Sequence, residues 1–155
     1  MEPKRVSESR TTMTQLALPN DANTHGSVLG GRVMHLMDLT AAIAASRHCR
    51  RPVVTVSVDS VRFHYPVHVG EVMLIEAVVT RAFRTSLEIQ VAVESENLRT
   101  GLRQRTTSAF LTFVALNDSG EPTAVPPLEP ETEEEKRRFE AALERRARRL
   151  AAREE

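Results

Sequence analysis

From Arg10 to Leu18 the chain alternates with a period near two, setting Thr12, Thr14 and Leu16 against Met13, Gln15 and Ala17. That spacing predicts a first strand, which Pro19 ends. From Arg32 to His48 the period becomes helical. Val33, Met34, Leu36, Met37, Leu39, Ile43 and a run of alanines leave hardly any polar stripe, the mark of a helix surrounded by protein on most sides. Between these segments, Pro19 to Leu29 is rich in Asn, Asp, Gly and Ser and reads as a structured loop, with Gly30 and Gly31 standing where the helix begins.

Beyond the helix, Val53–Tyr65, Glu71–Ala82, Ser86–Glu96 and Leu102–Leu116 are each dense in Val, Ile, Thr and Phe. Pro66–Gly70, Phe83–Thr85, Asn97–Gly101 and Asp118–Gly120 break them, so consecutive strands can mostly pair antiparallel through short connections. A strand, a helix and four strands make an α+β fold, with one long apolar helix lying against an antiparallel sheet. Residues 1–9 are polar and read as a mobile lead-in, 10–120 as the domain, and 121–130 as a Pro-rich linker. Residues 131–155 read as a charged C-terminal helix, glutamates early and arginines late as the helix dipole favours. With Phe139, Leu143 and Leu150 as its few apolar contacts, it is expected to be a solvated helix laced by i,i+4 ion pairs that docks on a neighbouring subunit.

Charge narrows the partners. Lys plus Arg and Asp plus Glu both number 21 in 155 residues, so nothing general argues for nucleic acid or a membrane surface. One cysteine, Cys49, excludes an internal disulfide and reads as a helix-end packing residue. The first residues lack the apolar core of a secretory signal, and no run approaches the ~18 apolar residues of a membrane helix, so a cytoplasmic protein is expected.

The chemistry centres on Asp38, a carboxylate about two turns into the apolar helix. Such a group is costly to desolvate unless it is paired, protonated or kept for function; a polar gap or a backbone cap would also accommodate it. The helix start at Gly30 and Gly31 offers free N–H groups and a partial positive charge, suited to an oxyanion. Asn23 has an amide able to orient water or polarise a carbonyl, although loop asparagines commonly cap their own turn. His25 lies beside these residues and suits a substrate-lining place. His64 and His68 flank Pro66 without a Cys or carboxylate cluster, so no metal site is expected. Ser27, Ser57 and Ser60 lack a Gly-x-Ser-x-Gly elbow, which argues against a serine triad.

Pro19, Asn20-Asp21-Ala22-Asn23, Gly26, Gly30-Gly31, Met34, Met37 and Asp38, followed by VVTVSVDSVRFHYPVHVGE from Val53 to Glu71, resemble the hotdog-fold acyl-CoA thioesterase family of the cytosolic acyl-CoA hydrolase type. The resemblance runs over roughly residues 10–120, and the charged tail resembles that of bacterial members. It implies a sheet wrapped around the helix, a homodimer joined edge to edge with shared active sites, and further assembly as a trimer of dimers. It implies acyl-CoA hydrolysis to a free acid and coenzyme A, with no metal or redox cofactor. Asp38 is then general base or nucleophile, working with Asn23 across the dimer interface, while the Gly30 and Gly31 amides hold the oxyanion. Arg84, Thr85 and Ser86 match a turn that similar proteins place near the coenzyme nucleotide, and a plain hairpin turn explains them as well. Arg50, Arg51 and Arg62 are further phosphate candidates, and Val33, Met34 and Met37 candidates for the acyl pocket.

Two other readings compete. A hotdog dehydratase would place a histidine with an aspartate on a different pattern from NxxGxxxGGxxxxxxD. A non-catalytic acyl-CoA-binding module would keep the dimer without turnover, and the presence of both Asn23 and Asp38 argues against it.

Overall fold

The computed structural model describes residues 1–153. A short strand β1 (Lys4–Arg5) precedes β2 (Thr11–Leu16), the helix α1 (Gly30–Cys49), and four long strands, β3 (Val53–Phe63), β4 (Val72–Ala82), β5 (Ser86–Glu96) and β6 (Arg103–Ala115). A two-residue strand β7 (Leu128–Glu129) and the helix α2 (Glu133–Ala152) complete it. Five strands form one antiparallel sheet in the order β2-β4-β5-β6-β3, which leaves β3 with a free edge. This is the expected hotdog arrangement.

Period-two alternation sends Ile75, Ala77, Val79, Leu87, Ile89, Val91, Leu111 and Phe113 to the front face, where they are buried against α1. The helix meets them with Ala41, Ala44 and Ala45, all fully buried, and these small side chains let its backbone approach the sheet closely. α1 begins two residues earlier than its apolar period, at Gly30, with Leu29 as an N-cap that supplies no side-chain bond. It ends at Arg50, whose φ of 53° is the left-handed conformation that closes a helix.

Three expectations change. Residues 1–9 are held in place: β1 pairs parallel with β7, and Val6 and Ser9 are buried. The Pro-rich segment is packed too, with Val125, Pro126 and Leu128 buried. α2 lies on the back of its own sheet, over β4, β5 and β6, instead of standing in solvent. Its anchor is Glu88 on β5, which has no exposed surface and accepts from Thr80 Oγ1 (2.6 Å), Arg145 (2.7 Å) and Arg149 (2.9 Å). Arg149 also reaches Asp59 on β3, and Arg145 and Arg81 stack on Phe110 and Phe139 at 3.7 and 3.8 Å. The outward side keeps the anticipated pairs Glu134–Arg138 and Glu144–Arg148, and Leu143 and Leu150 are exposed.

Candidate active site

Asp38 does not sit in the depth of the core. α1 has one open flank, where Leu39 is 45% exposed and Asp38 is half-buried beside it. Asp38 Oδ1 accepts a 2.7 Å hydrogen bond from Thr55 Oγ1, on the free-edge strand β3. A β-bulge between Thr55 and Ser57 keeps Thr55 and Val58 both toward α1, opposite Phe113 and Leu111 of β6. Behind the pair opens a cavity of about 250 Å³ walled by Met34, Met37, Val58, Ala109 and Leu111, with His35 beside Asp38. A carboxylate steadied by a hydroxyl at the mouth of an apolar cavity can hold a reactive polar group against a hydrocarbon chain.

Thr55 was not singled out in the sequence, where a threonine among valines is an ordinary strand residue. Met34 and Met37 line this cavity as expected. Val33 does not: it is buried on another side of α1 and lines a separate space of about 240 Å³ with Gly30, Phe63 and Tyr65.

The loop before α1 is fastened by its own polar groups. Asn23 Oδ1 accepts from the His25 and Ser27 amides at 2.8 and 3.2 Å, and Gly26 takes a φ of +82° inside the same turn. Asp21 receives Leu18 N–H and Arg32 Nε–H, tying the loop to the first turn of the helix. Asn23 therefore does cap its own turn, and that bonding uses only its oxygen. Among the described residues no hydrogen bond joins Asn23 to Asp38. His25 is exposed. The Gly30 and Gly31 amides have no acceptor among the described residues, as the first turn of a helix requires. A side chain at Gly30 would meet the Phe63 ring at 3.5 Å, whereas at Gly31 it would meet nothing within 4 Å, so close packing in this chain does not explain the second glycine.

Arg84, Thr85 and Ser86 form the β4–β5 turn, whose carbonyls accept from Phe83, Ala115 and Val125. Thr85 and Ser86 face a cavity on the back of the sheet, so β3 separates them from Asp38. Arg50 and Arg51 line an open depression at the end of α1, and Arg62 lies on β3 opposite Ser108. His64 and His68 belong to separate contacts, an amide bond to Thr106 O and a bridge to Ser27. Cys49 is buried, and burial pushes its thiol pKa up, which fits a packing residue. His48, beside it, is fully buried with Nε2 at 2.7 Å from Pro126 O, so this nitrogen carries the proton. Burial holds its pKa below the ordinary 6.5, more than the Pro126 bond raises it.

This arrangement, one helix in a curled antiparallel sheet with a half-buried carboxylate on its open flank, defines a hotdog-type protein. Residues 25–102 match the thioesterase superfamily, and the chain belongs to that family. It is 41% identical to an uncharacterized acyl-CoA thioester hydrolase of Bacillus subtilis over 93% of this chain and 84% of that one. It is 44% identical to the cytosolic acyl coenzyme A thioester hydrolase of Rattus norvegicus over 90% of its length, but spans only 37% of that longer protein. A solved hexameric acyl-CoA thioesterase superposes with a TM-score of 0.95 at 45% identity, covering 98% of this chain and 97% of that one. An acyl-CoA hydrolase of Staphylococcus aureus, solved with butyryl coenzyme A and coenzyme A, gives 0.91 at 36% identity, covering 97% and 92%. The same hydrolase has been solved with an aspartate, a threonine or an asparagine replaced by alanine.

Proposed function

We propose that the chain hydrolyses acyl-CoA thioesters to a carboxylic acid and coenzyme A. The observation that carries this is the Asp38–Thr55 pair at the mouth of an apolar cavity. The three residues replaced in the Staphylococcus hydrolase are spaced along that chain as Asn23, Asp38 and Thr55 are along this one, which supports a role for all three.

Thr55 occupies Oδ1 of Asp38, leaving Oδ2 for the reaction. As general base, Oδ2 takes a proton from water while the water oxygen bonds to the thioester carbonyl carbon. As nucleophile, Oδ2 makes that bond itself and water then cleaves the anhydride. In both routes the carbonyl oxygen gains negative charge beside the free amides of the partner subunit's Gly30 and Gly31, which follow its Asn23 loop, because about two turns of α1 separate Asp38 from the glycines of its own chain. Collapse expels coenzyme A as a thiolate, which needs little acid assistance. No metal or redox cofactor is required by either route.

The site is completed by a second copy. β3 has an unpaired edge, and Val54, Val56, Val58, Phe63 and Leu39 around it are exposed apolar residues of the kind an interface covers. Edge-to-edge pairing there brings Asn23 of the partner subunit toward Asp38, and the hexameric relatives support a trimer of such dimers. The coenzyme nucleotide then reaches Arg84, Thr85 and Ser86 only around the sheet or from another subunit. The cytosolic rat relative supports a cytoplasmic location, and no helix among the described residues is long and apolar enough to cross a membrane.

The test is free-thiol release from acetyl-, butyryl-, octanoyl- and palmitoyl-CoA. Asp38→Asn should lose roughly 100-fold or more of wild-type turnover with its melting temperature and oligomer unchanged. Near-normal turnover by that variant removes Asp38 from the mechanism. Binding without thiol release by the wild type replaces hydrolysis with the acyl-CoA-binding reading, and hydration of enoyl-CoA with the dehydratase reading.

A further inference from the structure

α1 has an outer flank that its own chain leaves bare. Between Arg32 and Arg47 the helix carries no lysine, arginine or glutamate, and Asp38 is its single acid. A helix face that meets water usually carries charge. The two bounding arginines are turned to their own chain, Arg32 to Asp21 and Arg47 to Arg10 O and Thr11 Oγ1. Left exposed or half-buried are Gly31, His35, Leu39, Ala42 and Ser46, which recur at helical spacing, with Asp38 beside them. An open depression of about 520 Å³ runs past Leu39, Ala42, Ile43 and Ser46. At the other end of the helix Leu29 projects, 50% exposed, immediately before Gly30.

A two-fold axis that pairs the free edge of β3 with its copy and keeps the two front faces continuous sets the two α1 helices side by side and antiparallel. Facing positions on such a pair run in opposite directions, so one contact fixes the rest. Placing the partner subunit's Gly31 against Asp38 puts the axis midway between residues 31 and 38, at Met34 and His35. Of these two, Met34 is half-buried and His35 is exposed on the flank. The same register carries the partner subunit's Leu29 to the turn from Leu39 to Ile43, where the depression lies.

We propose that this flank of α1 is the contact with a second copy of the chain, the two His35 side chains meeting on the axis and Leu29 of each copy seated in the other's depression. Gly31 is then the point of closest approach. A side chain there would meet nothing within 4 Å among the described residues, yet it would stand between the two helices. The register rests on the reading that Asp38 works beside the partner subunit's glycines, whereas crosslinking and dissociation are measured without substrate.

Cys49 is buried, so His35→Cys supplies the one accessible thiol. At the roughly 8–10 Å spacing of packed helices, facing Cα atoms come within disulfide reach. Mild oxidation of the full chain should turn most of His35→Cys into a covalent dimer and leave wild type and Glu144→Cys, on the outward side of α2, uncrosslinked. Leu29→Ser separates the contact from helix stability, because serine is a better N-cap than leucine within its own chain but loses the apolar burial across the axis. Sedimentation on dilution should show its dimer dissociation constant raised at least tenfold, with helix content unchanged by circular dichroism. A His35→Cys protein that stays uncrosslinked while sedimenting as a dimer or larger overturns the proposal, and so does wild type that sediments as a monomer. A dissociation constant that Leu29→Ser leaves unchanged overturns it as well. Covalent dimer without thiol release from acyl-CoA upholds the contact and removes only the hydrolase reading.

Discussion

On its front the sheet meets α1 through Ala41, Ala44 and Ala45 against Ile75, Ile89, Val91 and Phe113, a contact without a charge in it. On its back it meets α2 through Glu88, gripped by Arg145 and Arg149, with arginines stacked on Phe110 and Phe139. Front packing is governed by volume and has no preferred bond direction. It fixes how closely α1 lies to the strands, and so brings Asp38 within bonding distance of Thr55. Back packing is directional, because a guanidinium fork accepts a carboxylate in few orientations. Desolvating those charges offsets much of their attraction, so they fix the seating of α2 more than they add stability. The face that holds the Asp38–Thr55 pair is built on apolar contact, and the face that holds a helix in register is built on charge.

Substitutions on the two faces should therefore separate stability from turnover. The largest effect on stability is expected from Glu88→Ala, which leaves part-buried Arg145 without a carboxylate and Arg149 with Asp59 alone, and should cost on the order of 3 kcal/mol. Protease cleavage within α2 and a lowered melting temperature would report it, and thiol release by the folded fraction should persist. Thr55→Val does the reverse: loss of a bond to a charged group, about 1.5–3 kcal/mol, should lower kcat/KM roughly 10–100-fold with little change in melting. If Glu88→Ala abolishes turnover in folded protein, the two faces are not independent.

His48 gives a smaller, pH-dependent effect. Its folded pKa is depressed, so the unfolded chain binds its proton more readily; stability is full above about 6.5 and falls as the pH drops from there toward the folded value. Melting curves from pH 7 to pH 5 should show this loss, and His48→Gln should flatten it. Least of all is expected from Glu144→Gln, an exposed i,i+4 partner of Arg148, for which no melting shift should be measurable.

Much of the sheet could be read from the chain, because period-two burial and Pro, Gly and Asn breaks mark strand ends within a residue or two. α2 could be placed only in part: Phe139, one of its expected apolar contacts, does pack against the core, but the other residues it turns inward are Ala142, Arg145 and Arg149, which apolar periodicity barely registers. The one available signal was Glu88, a charge inside a strand whose neighbours Leu87 and Ile89 are buried. In the site, Asp38 stood out as a carboxylate among apolar residues, while Thr55 looked like any strand threonine. The openness of the flank around Asp38 depends on the free edge of β3, a property of strand order that local pattern does not contain.

The parallel pairing of Lys4–Arg5 with Leu128–Glu129 has a kinetic consequence. It closes a loop that encloses the whole sheet, and a parallel pair of two residues returns little for the entropy of that closure. It can form only after β2 to β6 and α1 have brought its strands together, so it is a late event in folding and an early one in opening. Amide exchange at Lys4, which donates to Pro127 O, should accordingly run ahead of exchange in β4 and β5, and the His48 contact with Pro126 should loosen with it.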